Sequence, residues 1–450
     1  MKIKKLKVIF LLMMITLSAI SQPLNNNILP NKIYQKKLPN GLNVVSIPYD
    51  SPGIAAFYIV MRVGSRDEVE AGKSGFAHFF EHMMFRGTEK YPSNKYSDIL
   101  KSTGASANAN TSLDRTMYHM TGNAAMLEKM FELEADRFMN LKYSLQQFKT
   151  EAGAVKGEYT KNYSSPYPQL NEKLSDVAFS NHTYKHTTMG FFKDVVDMPN
   201  QYEYSQEFFK RFYCPEYATI IVVGDVKPEM VNALSEKYFG IWKAGNFVSK
   251  IPSEAEQMET RYAHIQVANF PPVVALDYKS PAYSDNNIDM AAIDVLNALL
   301  FSEKSELYNK LVVEEQKLRS LDGSANSTRD PYLIEIQASL VDSKDMQYVK
   351  DEIIKAIEKM KITPADKKQL ADAKTRLRYS FAMQIDSPSK IAEAVASYVW
   401  ITGDPESLNH AYSNYDKVTP EDLMNVAKKY YVNNHLTVGT ISGDATSPIK

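Results

Sequence analysis

The pattern of hydrophobic and polar positions predicts strands mixed with helices along the whole chain. Alternating or continuous apolar runs fit strands at residues 42–48, 55–63, 116–120 and 218–223. Apolar positions three or four apart fit helices at residues 75–85, 127–140, 145–161, 289–300, 345–359, 364–385 and 387–400. This mixture indicates an α+β fold in which helices cover one face of a mostly antiparallel sheet.

A weak internal repeat indicates that this plan occurs twice. A helical pattern with an aromatic end leads into a closing strand at residues 212–225, and again at 430–444, 218 to 219 residues later. Between the two copies, residues 245–256 are polar, contain a proline and show no periodicity. We therefore predict two homologous domains, residues 27–246 and 257–445.

Residues 1–21 have the pattern of a secretory signal peptide. Four lysines precede an apolar run at residues 8–17, and Ala19-Ile20-Ser21 places small residues where a signal peptidase cleaves. The run is too short for a good transmembrane helix, and no cysteine follows it to carry a lipid. We expect an exported protein without a membrane anchor after cleavage, in the periplasm of a Gram-negative bacterium or fully secreted.

The composition is typical of a folded protein that has no strong electrostatic field. Hydrophobic residues make up 44% of the chain and charged residues 23%, and the formal net charge is -1. Nothing in this balance favours nucleic acid or an anionic membrane surface. Cys214 is the one cysteine, so an exported chain of this kind has no intramolecular disulfide.

The segment from Gly75 to His82 contains the motif H-x-x-E-H. On a helix His78 and His82 lie four apart on one face, where both imidazoles can reach one Zn²⁺. Glu81 points to the same place and can act as a general base that activates the attacking water. The alternative is two hydrogen-bonded histidines and a solvated glutamate. The intervening Phe79 and Phe80 argue against it, because they bury the segment.

A catalytic zinc site needs a third protein ligand. Glu151 and Glu158 are two helical turns apart and share a face of the predicted helix at 145–161. Only one can bind the metal directly, and the other can support a ligand or face the cleft. Their spacing leaves this choice open.

Together these features resemble the insulinase-like, or pitrilysin-type, zinc peptidases, which include the mitochondrial processing peptidases. The similarity covers nearly the whole mature chain. Its segments are Leu38-Pro39-Asn40-Gly41-Leu42, Val63-Gly64-Ser65-Arg66-Asp67-Glu68, residues 75–88, residues 104–111 followed by Asp114, Thr116 and Tyr118, and Glu134-Ala135-Asp136-Arg137.

The resemblance implies roles for the residues that match. The family's third zinc ligand follows the second histidine by about 76 residues, which is Glu158 here, and Glu151 matches a further carboxylate important for activity. Asn108 and Ala109 match an edge strand that pairs with an extended peptide substrate. The second domain lacks a metal motif, so we expect one Zn²⁺ per chain.

One departure from the family concerns an Arg and a Tyr, seven residues apart, that bind the substrate main chain and the reaction's oxyanion. Here these positions hold Val312 and Arg319, which cannot do that work. The resemblance therefore implies a zinc-bearing subunit paired with a homologous subunit that lacks zinc ligands. A self-sufficient homodimeric peptidase, a non-catalytic zinc-binding structural subunit and a peptide-binding module without turnover are the alternatives.

Overall fold

Each half of the chain forms one β-sheet in the computed structural model, which describes residues 27–449. The predicted signal peptide lies outside the described residues. The first sheet contains β1 (Tyr34–Lys37), β2 (Asn43–Pro48), β3 (Ile54–Met61), β4 (Ser106–Thr111), β5 (Thr116–Asn123) and β6 (Ala218–Gly224). The second contains β7 (Arg261–Gln266), β8 (Val273–Lys279), β9 (Leu318–Ala325), β10 (Leu333–Leu340) and β11 (Leu436–Ser442).

The two sheets have the same topology. The strand order is β1-β2-β6-β3-β5-β4 in the first and β7-β11-β8-β10-β9 in the second. Without β1 the two orders match strand for strand, and in each sheet one pair is parallel, β2 with β6 and β7 with β11. This agreement confirms the predicted α+β class with two homologous, mostly antiparallel domains. The division at residues 246 and 257 stays a prediction.

Helices form the layers on these sheets. In the first half they are α1 (Phe76–Met83), α2 (Ser93–Ser102), α3 (Leu127–Asn140), α4 (Leu145–Asn162), α5 (Pro166–Ala178), α6 (Phe192–Asp197), α7 (Tyr202–Phe212) and α8 (Pro228–Phe239). In the second half they are α9 (Asp289–Leu300), α10 (Glu306–Tyr308), α11 (Met346–Ile362), α12 (Lys367–Ala382), α13 (Pro388–Thr402), α14 (Ser407–Lys417) and α15 (Pro420–Tyr430). Among residues 27–449, none of these helices combines the length and apolar character needed to cross a membrane.

The closing strand of each half is buried on both faces. Every residue of β6 and of β11 is buried, so each sheet needs a second apolar layer opposite its own helices. The other half of the chain supplies that layer. Helix α13 packs on β3 and β6, and α5 packs on β7 and β11. The sequence pattern left open which element covers these faces, and the structure assigns one helix from each half to the opposite sheet.

The close approach of α5 depends on a glycine in β11. A Cβ at Gly439 would lie 2.8 Å from Cδ1 and 3.0 Å from Cγ of the buried Leu174 in α5. No larger residue fits there without moving Leu174.

We expect Gly439→Val to lower the free energy of unfolding by about 1–3 kcal/mol, because it overpacks the contact between the halves. Urea unfolding followed by circular dichroism would measure this. Gly153→Ala is the matched control, since a Cβ at Gly153 in α4 meets nothing within 4 Å, and alanine favours a helix. An unchanged midpoint for Gly439→Val would show that Leu174 does not set the spacing of α5.

Candidate metal centre and peptide-binding edge

The start of α1 is held by a buried carboxylate. Glu68 accepts hydrogen bonds of 2.7 Å from the backbone N–H groups of Gly75 and Ala77. These bonds oppose the effect of burial, which raises the pKa of Glu68 well above its usual value. Gly75 itself has φ 94°, and a Cβ there would lie 2.9 Å from the carbonyl oxygen of Met189. The first turn of the helix therefore begins at one fixed place.

Aromatic side chains on the inner face of α1 set its position against the rest of the first half. Phe79 packs edge-on against Phe148 of α4, with ring centroids 5.0 Å apart. Phe80 stacks on Phe208 of α7 at 5.3 Å. All four rings are fully buried, so α1 and α4 share one core. The histidines of α1 consequently face α4.

Three of the predicted site residues converge where α1 meets α4. Nε2 of His78 lies 3.7 Å from Oε2 of Glu158, and Nε2 of His82 lies 3.2 Å from the same oxygen. One ligand atom from each of the three residues lies within 4.8 Å of the others. A tetrahedral zinc ion with bonds of about 2.1 Å needs ligand atoms about 3.4 Å apart. The donor set and its spacing therefore fit Zn²⁺ with one position left open.

Glu151 lies behind this cluster and contacts His82 on its other nitrogen. Nδ1 of His82 is 3.0 Å from Oε1 of Glu151, and Arg86 donates a hydrogen bond to the second carboxylate oxygen. Burial favours the protonated acid, but the hydrogen bonds from His82 and Arg86 hold the pKa of Glu151 below its usual value. Among the two glutamates that the sequence left open, Glu158 faces both imidazoles and Glu151 can orient one of them.

The two imidazoles differ in their surroundings. The hydrogen bond to Glu151 raises the pKa of His82. Burial, together with the neighbouring His82, lowers the pKa of His78 to about 4. The Nδ1 atom of His78 is buried and has no hydrogen-bond partner among residues 27–449. Glu151 orients the His82 ring through a hydrogen bond, whereas packing and the nearby Glu158 carboxylate position the His78 ring.

Glu81 is hydrogen-bonded to the last residue of β4. The hydroxyl of Thr111 donates a hydrogen bond of 2.6 Å to Oε2 of Glu81. Burial raises the pKa of Glu81, and the bond from Thr111 opposes that rise. Because Thr111 is the last residue of β4, one contact joins the candidate general base to the strand beside it.

Strand β4 is an edge of the first sheet. It pairs with β5 on one side, with Asn108 opposite His119 and Ala109 opposite Tyr118. No described strand pairs with its other side. Asn108 is exposed and Ala109 is buried, as expected for alternating positions of one strand. The free backbone groups of β4 can accept an extended peptide.

Val312 and Arg319 lie in the second half of the chain, and both contact residues of that half. Val312 sits in a π-helical turn, Asn309–Glu314, and packs partly buried against the second core. Arg319 is the second residue of β9, and its Nε donates a hydrogen bond to the carbonyl oxygen of Leu340 at 3.3 Å. Val312 has no side-chain donor and Arg319 has no phenol, so neither residue reproduces the family's Arg or Tyr at its own position.

Three supporting residues had no role in the sequence prediction: Glu68, Arg86 and Thr111. Glu68 and Arg86 flank the H-x-x-E-H motif, but their partners are a helix N-terminus and a glutamate far along the chain. The spacing of Arg86, four residues after His82, is the one signal that could have placed it on the same helical face.

We expect substitutions in the site to weaken zinc binding by different amounts. His78→Ala should abolish stoichiometric zinc binding, and Glu151→Gln should weaken it about 10- to 100-fold, because His82 loses its charged partner. Chelator competition with the zinc content measured per chain would test both. The control is Glu128→Gln, an exposed glutamate of α3 paired with Lys237. Wild-type zinc content in His78→Ala would mean that the ion is held elsewhere.

Comparisons with known proteins agree with this architecture. Residues 44–190 match the insulinase family (peptidase family M16), and residues 201–377 match the peptidase M16 inactive domain. The zinc protease PqqE of Helicobacter pylori is 30% identical over 409 residues, which is 89% of this chain and 90% of that protein.

Two solved structures give the same result for the fold. A protease from Helicobacter pylori is 28% identical with a TM-score of 0.84, covering 92% of this chain and 99% of that one. The periplasmic protease PqqL from Escherichia coli is 19% identical with a TM-score of 0.74, and the match covers 93% of this chain but 49% of that one. On the strength of the sequence matches, this chain belongs to the insulinase family of peptidases, family M16.

Proposed function

We propose that this protein is a zinc metalloendopeptidase that cleaves short or unfolded peptides. The observation that carries the proposal is the convergence of His78, His82 and Glu158 on one point, next to Glu81 and the free edge of β4. Membership of a family whose relatives are named zinc proteases supports it.

In the proposed reaction the side chains divide the work. When bound by His78, His82 and Glu158, zinc supplies a Lewis acid that polarises the scissile carbonyl and makes water more acidic. Glu81 accepts the proton of the attacking water and passes it to the leaving amine. Thr111 keeps the Glu81 carboxylate in position through its hydrogen bond. Glu151 holds the ring of His82 in the orientation that presents Nε2.

The substrate in this proposal lies along β4 as an additional strand. Main-chain hydrogen bonds to residues around Asn108 and Ala109 would hold any extended peptide, whatever its sequence. A folded protein cannot present such a strand without local unfolding. This geometry is the reason to expect short or unfolded substrates.

A homologous partner subunit completes the proposal. Val312 and Arg319 stand where the family has its Arg and Tyr, and a partner without zinc ligands could supply that pair. The match to the Escherichia coli protease PqqL covers 49% of that chain, which therefore has room for a second unit of this length. A self-sufficient homodimer is the second candidate, and a non-catalytic zinc-binding subunit is the third. The hydrogen-bonded Glu81 favours a catalytic role over the third.

We also propose that the protein is exported, with the periplasm as its compartment. The predicted signal peptide at residues 1–21 supports this.

Glu81→Gln should reduce the cleavage of an internally quenched, unstructured peptide by about 100- to 10,000-fold, because the general base is lost. Its zinc content should equal that of the wild type. Glu89→Gln, an exposed glutamate paired with Lys142, should cleave at the wild-type rate. Equal rates for Glu81→Gln and wild type would end the peptidase proposal.

The purified mature chain alone should hold one zinc and cleave slowly, since the loss of one oxyanion donor typically costs about 100-fold or more in rate. Adding a homologous subunit that carries the Arg and the Tyr should restore the rate. Rapid, chelator-sensitive cleavage by the chain alone would overturn the partner requirement and leave the homodimer.

A further inference from the structure

Two carboxylates lie at the floor of a small cavity between the halves. Asp277 of β8 and Glu335 of β10 are directly opposite each other in the antiparallel register. Both line a cavity of about 170 Å³ whose other walls include Leu113, Asn171 and Thr188 of the first half. Their neighbours in sequence, Leu276 and Ile336, point the other way into the core of the second half.

The Asp277 carboxylate is buried without a partner. Its residue is 4% exposed, and among residues 27–449 it makes no hydrogen bond or ion pair. Glu335 accepts one hydrogen bond, 3.1 Å from Nδ2 of Asn326. Burial and the charge of Glu335 raise the pKa of Asp277 well above its usual value. Two acids are therefore held side by side, and either a proton on Asp277 or a bound cation is needed to relieve their repulsion.

Two cations, one on the same strand and one in the adjoining cavity, are engaged elsewhere. Lys279 follows Asp277 by two residues on the same face, but its Nζ lies 3.2 Å from the ring centroid of Phe179. Arg115 lines the adjoining cavity and donates to Asn110. The charges that act on Arg115 are those of Glu393 and Glu81. The charge that favours protonated Lys279 is that of Glu254, while Arg261 opposes it.

This acidic cavity adjoins the candidate peptide-binding edge. A neighbouring cavity of about 540 Å³ shares Leu113, Glu335 and Tyr332 with it and extends to Ser112 and Arg115. Ser112 directly follows Thr111, the residue that bonds Glu81. A peptide continuing beyond the end of β4 would enter this space. One of its side chains could then reach the two carboxylates.

We propose that Asp277 and Glu335 form a substrate pocket for a cationic group, the ammonium or guanidinium end of a lysine or arginine side chain in the bound peptide. This inference rests on the proposed function, because it takes the occupant to be a peptide lying along β4. Two carboxylates on one side of a cation give charge-assisted hydrogen bonds, which discriminate strongly against a neutral side chain of the same length.

The test separates this pocket from catalysis by measuring binding. Zinc-loaded Glu81→Gln protein is titrated into labelled, N-acetylated peptides that carry one lysine at successive positions. Each peptide has a twin with norleucine in place of the lysine. At one position the lysine peptide should bind about tenfold or more tightly, as expected for hydrogen bonds between charged groups. A second series with free N-termini distinguishes a side chain from a terminal amine.

Variants then assign the preference to the two carboxylates. Asp277→Asn with Glu335→Gln should bring the ratio of lysine to norleucine affinities close to one. Asp322→Asn is the matched control, an exposed carboxylate in β9 of the same sheet, and should keep the ratio. Circular dichroism checks that each variant is folded. If the double variant does not fold, the comparison of lysine and norleucine peptides on the Glu81→Gln protein still tests the pocket.

The outcomes separate the two proposals. Equal affinities for lysine and norleucine at every position overturn the pocket, whatever the wild type cleaves. A preference that the double variant keeps also overturns it, and so does a preference that appears only with free N-termini. A lysine preference that is lost in the double variant supports the pocket. If the wild type also cleaves none of these peptides, even with the homologous subunit added, the peptidase proposal fails and the binding pocket stands.

Discussion

The packing of α1 against α4 is the constraint on which the candidate site depends. Its ligands come from positions far apart in the chain, and nothing local brings Glu158 to the two histidines. The contact of Phe79 with Phe148, within one buried core, fixes the distance and rotation of the two helices. A metal centre tolerates errors of only a few tenths of an ångström, so it needs helices that cannot slide. The aromatic core provides that rigidity.

Around this packing, each polar residue of the site is held by a second one. Glu68 accepts hydrogen bonds from the first turn of α1 and fixes where that helix begins. Glu151 orients the ring of His82, and Thr111 positions the carboxylate of Glu81, each through a hydrogen bond. His78 is the exception, because no described residue makes a hydrogen bond to its Nδ1 atom. Supporting contacts of this kind are what distinguish a built centre from histidines that meet by chance.

Much of this could be predicted from the sequence, and the limit has a physical cause. The helical spacing of His78, Glu81 and His82 is local, so the motif alone predicts their common face. The choice between Glu151 and Glu158 is tertiary, because both lie on one face of α4 and only their distance from α1 separates them. The same holds for Thr111, whose partner is set by where β4 ends. Amphipathic patterns show that α5 and α13 bury a face but not which sheet receives it.

The exchange of α5 and α13 between the sheets has a consequence for how the chain holds together. The only covalent link between the β-sheets runs through residues 243–260, which contain no helix or strand. Each half nevertheless keeps one helix embedded in the other. If the backbone were cleaved in that link, the two fragments would stay associated, because each contributes one helix to the core of the other. A gene split at this point could thus encode two polypeptides that assemble into the same molecule.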